Sequence, residues 1–123
     1  MGAEVKTIIR LAHVPPSTNT LYANVPGKGR VKSQRYRTWL NAVGWDIKRY
    51  TKDNWDIPVY LTICIGKLRK NADISNRVKA VEDLLVTYGI IPGDDISWVR
   101  GVNVYLAQIP FDGVEIAITA AEP

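Results

Sequence analysis

VYLTICIGKLRKNADISNRVKAVEDLLVTYG, residues 59–89, carries a strand, a basic turn and a helix in one continuous run. Val59 to Ile65 is apolar and β-branched, follows a break at Asn54 to Asp56 and Pro58, and reads as a strand. Lys67-Leu68-Arg69-Lys70 then delivers the chain to a helix expected to begin near Asp73 to Ser75. In that helix Ile74, Val78, Val81 and Leu85 recur at helical spacing and form the stripe expected to be buried. Asp73, Asn76, Lys79, Ala80 and Asp83 fall on a neighbouring polar face, because steps of three and four return to the same side. Gly89 ends the helix.

Upstream, residues 5–14 are rich in Val, Ile and Leu and stop at Pro15-Pro16, as a first strand would. Residues 15–32 collect Pro, Ser, Thr, Asn and Gly and read as a loop whose second half is flexible and cationic. The loop lacks the Gly-x-x-x-x-Gly-Lys-Ser/Thr spacing of a nucleotide cradle, which excludes a P-loop NTPase. Ser33 is placed to cap a helix with Tyr36, Trp39, Leu40, Val43, Ile47 and Tyr50 on one face. Trp39 belongs to that stripe and is expected in the core, whereas Trp45 lies off it and is the better exposed base-stacking candidate. Downstream, residues 96–107 and 114–120 read as two strands joined by a turn around Pro110 to Gly113. In the first, Ile96, Trp98, Val102, Val104 and Leu106 share a face; in the second, Val114, Ile116 and Ile118 do. The order β-α-β-α-β-β predicts an α+β fold in two layers, with two helices packed on a mixed or antiparallel four-stranded sheet.

The 123 residues, 46% hydrophobic and 23% charged, suit a single domain over 1–123 with a core that needs no cross-link or structural metal. Cys64 stands alone in the apolar run and reads as a buried, inert thiol, so a reducing cytoplasm is the expected location. No apolar stretch approaches the ~20 residues of a membrane span, and no signal-peptide core precedes the first strand, so neither membrane nor secretion is expected. Charge is segregated. From Lys28 to Lys79 thirteen Lys and Arg face only Asp46, Asp53, Asp56 and Asp73; beyond Lys79, Arg100 alone faces seven Asp and Glu. A basic middle suits a polyanion, because each phosphate contact releases counterions; the alternative is an ordinary solvated surface. Lys28, Arg30, Lys32, Arg35, Arg37, Lys67, Arg69 and Lys70 are the phosphate-contact candidates.

Acids at the edge of this basic region are the chemical candidates. Asp73 opens the second helix and Asp94-Asp95 precede the next strand, so packing helix on sheet can converge them. Carboxylate oxygens are what Mg²⁺ selects, and such ions activate water for phosphodiester hydrolysis. The plainer alternatives are an N-cap at Asp73 and a polar turn at Asp94-Asp95. Lys79 is placed to neutralise a phosphate or leaving-group charge, or to pair with Asp83 one turn on. Asn76 can orient a carboxylate or water, or finish a cap. His13 has no partner at useful spacing and is given no role.

Three segments together resemble the RusA family of Holliday junction resolvases. They are Val14-Pro15-Pro16-Ser17-Thr18-Asn19-Thr20-Leu21-Tyr22; Asp73 to Leu85, similar to Asp-x-Asp-Asn-x-x-Lys-x-x-x-Asp-x-Leu; and Gly89-Ile90-Ile91-Pro92-Gly93-Asp94-Asp95. The resemblance implies a homodimeric endonuclease that cuts four-way and related branched DNA by symmetric paired nicks, with Mg²⁺ or Mn²⁺, in recombination and repair or phage DNA processing. It implies Asp73 and Asp95 as catalytic metal-binding carboxylates, Lys79 as the catalytic lysine, Asp94 as a further metal ligand, and Asn76 and Asp83 as supporting residues. The second aspartate of the family pattern is Ser75 here, a neutral hydroxyl where the family has an anion. That substitution lowers the expected metal affinity and leaves a second possibility, a non-catalytic junction-binding protein.

Overall fold

Alternation along β4 (Val59–Ile65) sets the architecture: Val59, Leu61, Ile63 and Ile65 are buried while Tyr60, Thr62 and Cys64 are not. In this computed structural model, which describes residues 6–121, β4 lies inside a four-stranded mixed sheet. The other sheet strands are β1 (Lys6–Leu11), β5 (Val99–Leu106) and β6 (Val114–Ala120), in spatial order β1-β6-β4-β5. β6 runs antiparallel to both β1 and β4, and β4 runs parallel to β5. The parallel pair needs a long crossover. The segment between them supplies α2 (Val78–Thr87). Helix α1 (Gln34–Lys48) joins the same layer, and Ile9, Ile63, Ile116, Val43, Ile47, Val81 and Leu84 meet in one core.

The expected α+β architecture is therefore present, with differences of detail that have local causes. Residues 15–32 are not all loop. They contain a 3₁₀ turn at Thr18–Thr20 and a hairpin of β2 (Tyr22–Val25) and β3 (Gly29–Lys32). Gly27 and Gly29 take φ of +80° and +73°, the left-handed values a tight reversal requires. The element order is thus β-β-β-α-β-α-β-β. The first strand stops at Leu11 rather than running to residue 14, and the expected start at Val5 lies outside the described residues.

Helix α1 follows its stripe closely: Tyr36, Trp39, Val43 and Ile47 are buried, with Leu40 and Tyr50 packed against the core. The Ser33 hydroxyl accepts from the Tyr36 amide and donates to the Thr20 carbonyl, tying the helix start to the hairpin. Trp39 donates to the His13 carbonyl at 3.1 Å, while Trp45 is 79% exposed beneath the Lys48 ammonium. Helix α2 begins later than expected, because Ser75–Arg77 form a 3₁₀ turn. Ala80 and Leu84 join Val81 and Leu85 in its buried face, so Ala80 belongs to the core rather than to the polar side.

At β5 the expected inward face is only partly covered. Val102, Val104 and Leu106 stand in register with buried Leu61, Ile63 and Ile65, but β5 is the sheet edge. Val102 and Leu106 remain exposed there, and Ile96 precedes the strand altogether and is exposed too. On the opposite sheet face Tyr60 is exposed and Thr62 is only half-buried. Cys64 sits there half-buried beside Glu115, so it is not the fully buried thiol expected; burial and that carboxylate push its pKa up. No helix among the described residues is long and apolar enough to cross a membrane.

Candidate functional site

The first residues of the 73–79 segment are organised by a side chain reaching forward. Asp73 accepts from the Ser75 amide at 3.2 Å and the Ser75 hydroxyl at 2.8 Å, and from the Asn76 side chain at 3.3 Å. Such an Asx-type turn holds the chain ready for helix entry. Ser75 therefore acts as a donor to Asp73, the opposite polarity to a second carboxylate. Asp95 is placed by the same device before β5: its side chain accepts from the Ser97 amide at 2.8 Å and its carbonyl from Trp98 and Val99.

In the first turn of α2, Lys79 bridges two acids. Its ammonium lies 3.1 Å from Asp83 and 2.9 Å from Asp94. The hydrogen bonds to Asp94 and Asp83 hold the lysine pKa well above its ordinary value, and the same ammonium pulls Asp94 below the usual carboxylate range. Lys79 is thus a fixed cation near neutral pH. An open cleft of about 430 Å³ adjoins this cluster, with Lys32, Tyr22, Tyr36, Asp83 and Asp94 among its walls. Burial, reinforced by Asp83, pushes the Tyr36 hydroxyl up to about 12, so it remains a neutral donor there. Glu82 on the same helix is raised by burial and by Asp94.

Of the three sequence segments singled out above, residues 73–85 touch both of the others. The Thr18 hydroxyl donates to the Asn76 carbonyl at 2.8 Å, Arg77 donates to the Pro15 carbonyl at 3.1 Å, and Lys79 reaches Asp94. The segments lie up to about eighty positions apart in sequence and meet around the start of α2. No hydrogen bond or ion pair links Asp73 to Asp94 or Asp95 among the described residues, so the structure joins Asp83 and Asp94 through Lys79 and leaves Asp73 and Asp95 each in its own turn.

Carboxylate oxygen is the donor that Mg²⁺ selects, and one or two carboxylates suffice when substrate phosphates complete the coordination. Asp73, Asp94 and Asp95 provide that donor type. Among the described residues, no three of His, Cys, Asp and Glu gather into a protein-only cage.

The basic candidates divide between two places. Lys28, Arg30 and Lys32 occupy the hairpin, with Arg30 stacked 4.2 Å above the Tyr22 ring. Arg37 donates to the Lys32 carbonyl at 2.8 Å and braces that hairpin. Arg35, Lys67 and Arg69 line an open cavity of about 480 Å³, and Lys70 shares an adjoining hollow with Arg69. Lys67 also pairs with exposed Asp112 at 2.7 Å. Both hollows include Arg77, which the sequence reading did not single out; its contact with Pro15 appears only once the chain is folded.

Among known proteins, the chain matches no family model and no curated protein. The resemblance to the junction resolvases accordingly rests on residues 14–22, 73–85 and 89–95 themselves.

Proposed function

We propose that the chain is a structure-selective endodeoxyribonuclease of the RusA type, a Holliday junction resolvase acting on four-way and related branched DNA. The observation that carries this reading is the contact of residues 73–85 with both other resembling segments around the start of α2, flanked by two groups of basic residues suited to DNA phosphates.

In this proposal the hairpin cations and Arg35, Lys67, Arg69 and Lys70 hold the DNA backbone. Lys79, kept charged by Asp83 and Asp94, neutralises the scissile phosphate or the developing leaving-group charge. Asp73, Asp94 and Asp95 are the residues that would hold Mg²⁺, or Mn²⁺ in its place, and that ion would supply Lewis-acid polarisation of the phosphate and an activated water. Asn76 and Ser75 orient the Asp73 carboxylate. A twofold homodimer would set one such site on each of two opposing strands, matching the symmetry of a four-way junction.

One specific contact favours a second reading. Ser75 donates to Asp73 where the family pattern has another anion, which suits a junction-binding protein with an impaired metal site. Both readings require junction affinity. Fluorescence anisotropy with a labelled four-way junction and a linear duplex of equal length is expected to show tighter binding to the junction. With ~4 phosphate contacts from each of two subunits, affinity should fall on the order of ten-thousandfold between about 50 and about 200 mM salt. Equal affinity for both DNAs, or affinity that ignores salt, would overturn the assignment.

A further inference from the structure

Arg77 differs from the other cations of this protein in where its charge is placed. It closes the 3₁₀ turn before α2 and is half-buried, with one terminal nitrogen donating to the Pro15 carbonyl. Its Nε is buried with no hydrogen-bond partner. Arg35 from the first turn of α1 and Arg69 from the loop after β4 share its cavity, and among the described residues no acid lines that hollow or the one beside it. Among the described residues, Arg35, Arg69 and Arg77 make no ion pair. Three elements thus bring like charges together around an open concavity of about 480 Å³. Arg35 and Arg69 are exposed, but holding the half-buried Arg77 guanidinium beside them is unfavourable unless an anion joins it. Burial and the neighbouring Arg35 lower the Arg77 pKa, with Asp73 opposing, which is the electrostatic trace of that crowding.

We infer that Arg35, Arg69 and Arg77 form a discrete phosphate-holding pocket in which Arg77 anchors one phosphodiester group of a nucleic-acid backbone. A guanidinium fork matches two phosphate oxygens at once, whereas an ammonium offers a point charge. The pocket shares no lining residue with the cleft beside Asp83 and Asp94, so it grips a phosphate other than the one Lys79 meets. Its assignment rests on the nucleic-acid reading of the basic surface but not on cleavage.

The test is an NMR titration of the wild-type chain that follows arginine side-chain Nε–Hε signals, first with dimethyl phosphate and then with a short DNA duplex, against sodium chloride at matched ionic strength. The Arg77, Arg35 and Arg69 signals are expected to move together with both phosphates and not with chloride. Arg69→Gln, at an exposed position, should weaken the Arg77 response at least fivefold. Arg77→Lys, which keeps the charge, should weaken duplex binding at least threefold while its amide spectrum stays native. Arginine signals that stay still while hairpin amides respond to DNA would overturn the pocket and leave the DNA-binding reading standing. Signals that move with phosphate in a protein that never nicks DNA would uphold the pocket and remove the nuclease reading.

Discussion

Replacing Lys79 by alanine is expected to lower junction cleavage at least about a hundredfold, the scale seen when one preorganised charge or donor is removed from an active site. The residue is exposed enough to be dispensable for folding, since ion pairs of this exposure contribute about 0–1 kcal/mol. Its removal has a second consequence. Asp83 and Asp94 lose the cation between them, so the pKa of Asp94 rises back toward an ordinary carboxylate and the cleft becomes net negative where the proposed mechanism brings a phosphate. Both changes act in the same direction. Lys79→Arg restores charge but not the compact ammonium geometry and should recover activity only in part. Single-turnover cleavage of a labelled junction, with circular dichroism to confirm the fold, makes the comparison. Cleavage by Lys79→Ala within twofold of wild type would remove the residue from the chemistry.

Gly113→Ala is expected to destabilise the protein by about 3 kcal/mol or more, among the largest effects available to a single methyl group. Gly113 has φ of +123°, a conformation that L side chains rarely adopt. A Cβ there would also enter the van der Waals shell of the Leu11 carbonyl oxygen, a backbone atom held by the pairing of Leu11 with Val114. The Gly113 carbonyl accepts from Gly66 at 2.9 Å, so displacing it disturbs the ends of β1, β4 and β6 together. Gly27 is the control: its φ is +80° but open space surrounds it, and alanine there should cost about 1 kcal/mol. Urea unfolding followed by tryptophan fluorescence compares the two. Equal midpoints for Gly113→Ala and wild type would contradict the described strand ends.

What could be read from the sequence was what depends on period and local spacing. Helix α1 shows in the intervals from Tyr36 to Ile47, and the sheet core shows in alternating Val59 to Ile65 and Val114 to Ile118. The pairing of Lys79 with Asp83 follows from one helical turn. The hairpin escaped because its four-residue strands are short and polar, so the glycines around Lys28 read as flexibility rather than as a reversal. Covering of β5 was overestimated because alternation identifies a face but not whether helices extend to the sheet edge. Arg77 was invisible as a special residue, since a lone arginine in a helical stretch has no local mark; its contact with Pro15 joins positions 62 apart. Lys79 with Asp94 is likewise a tertiary contact.

Cleavage of an end-labelled synthetic four-way junction by the purified protein, in Mg²⁺ and in EDTA and beside Asp95→Asn, tests the proposed activity most directly. Paired symmetric nicks that appear with Mg²⁺, vanish in EDTA and are lost in Asp95→Asn while junction binding persists are the expected result. Tight junction binding with no nick under Mg²⁺ or Mn²⁺ would contradict it and leave a DNA-binding protein in which Ser75 marks a lost metal site.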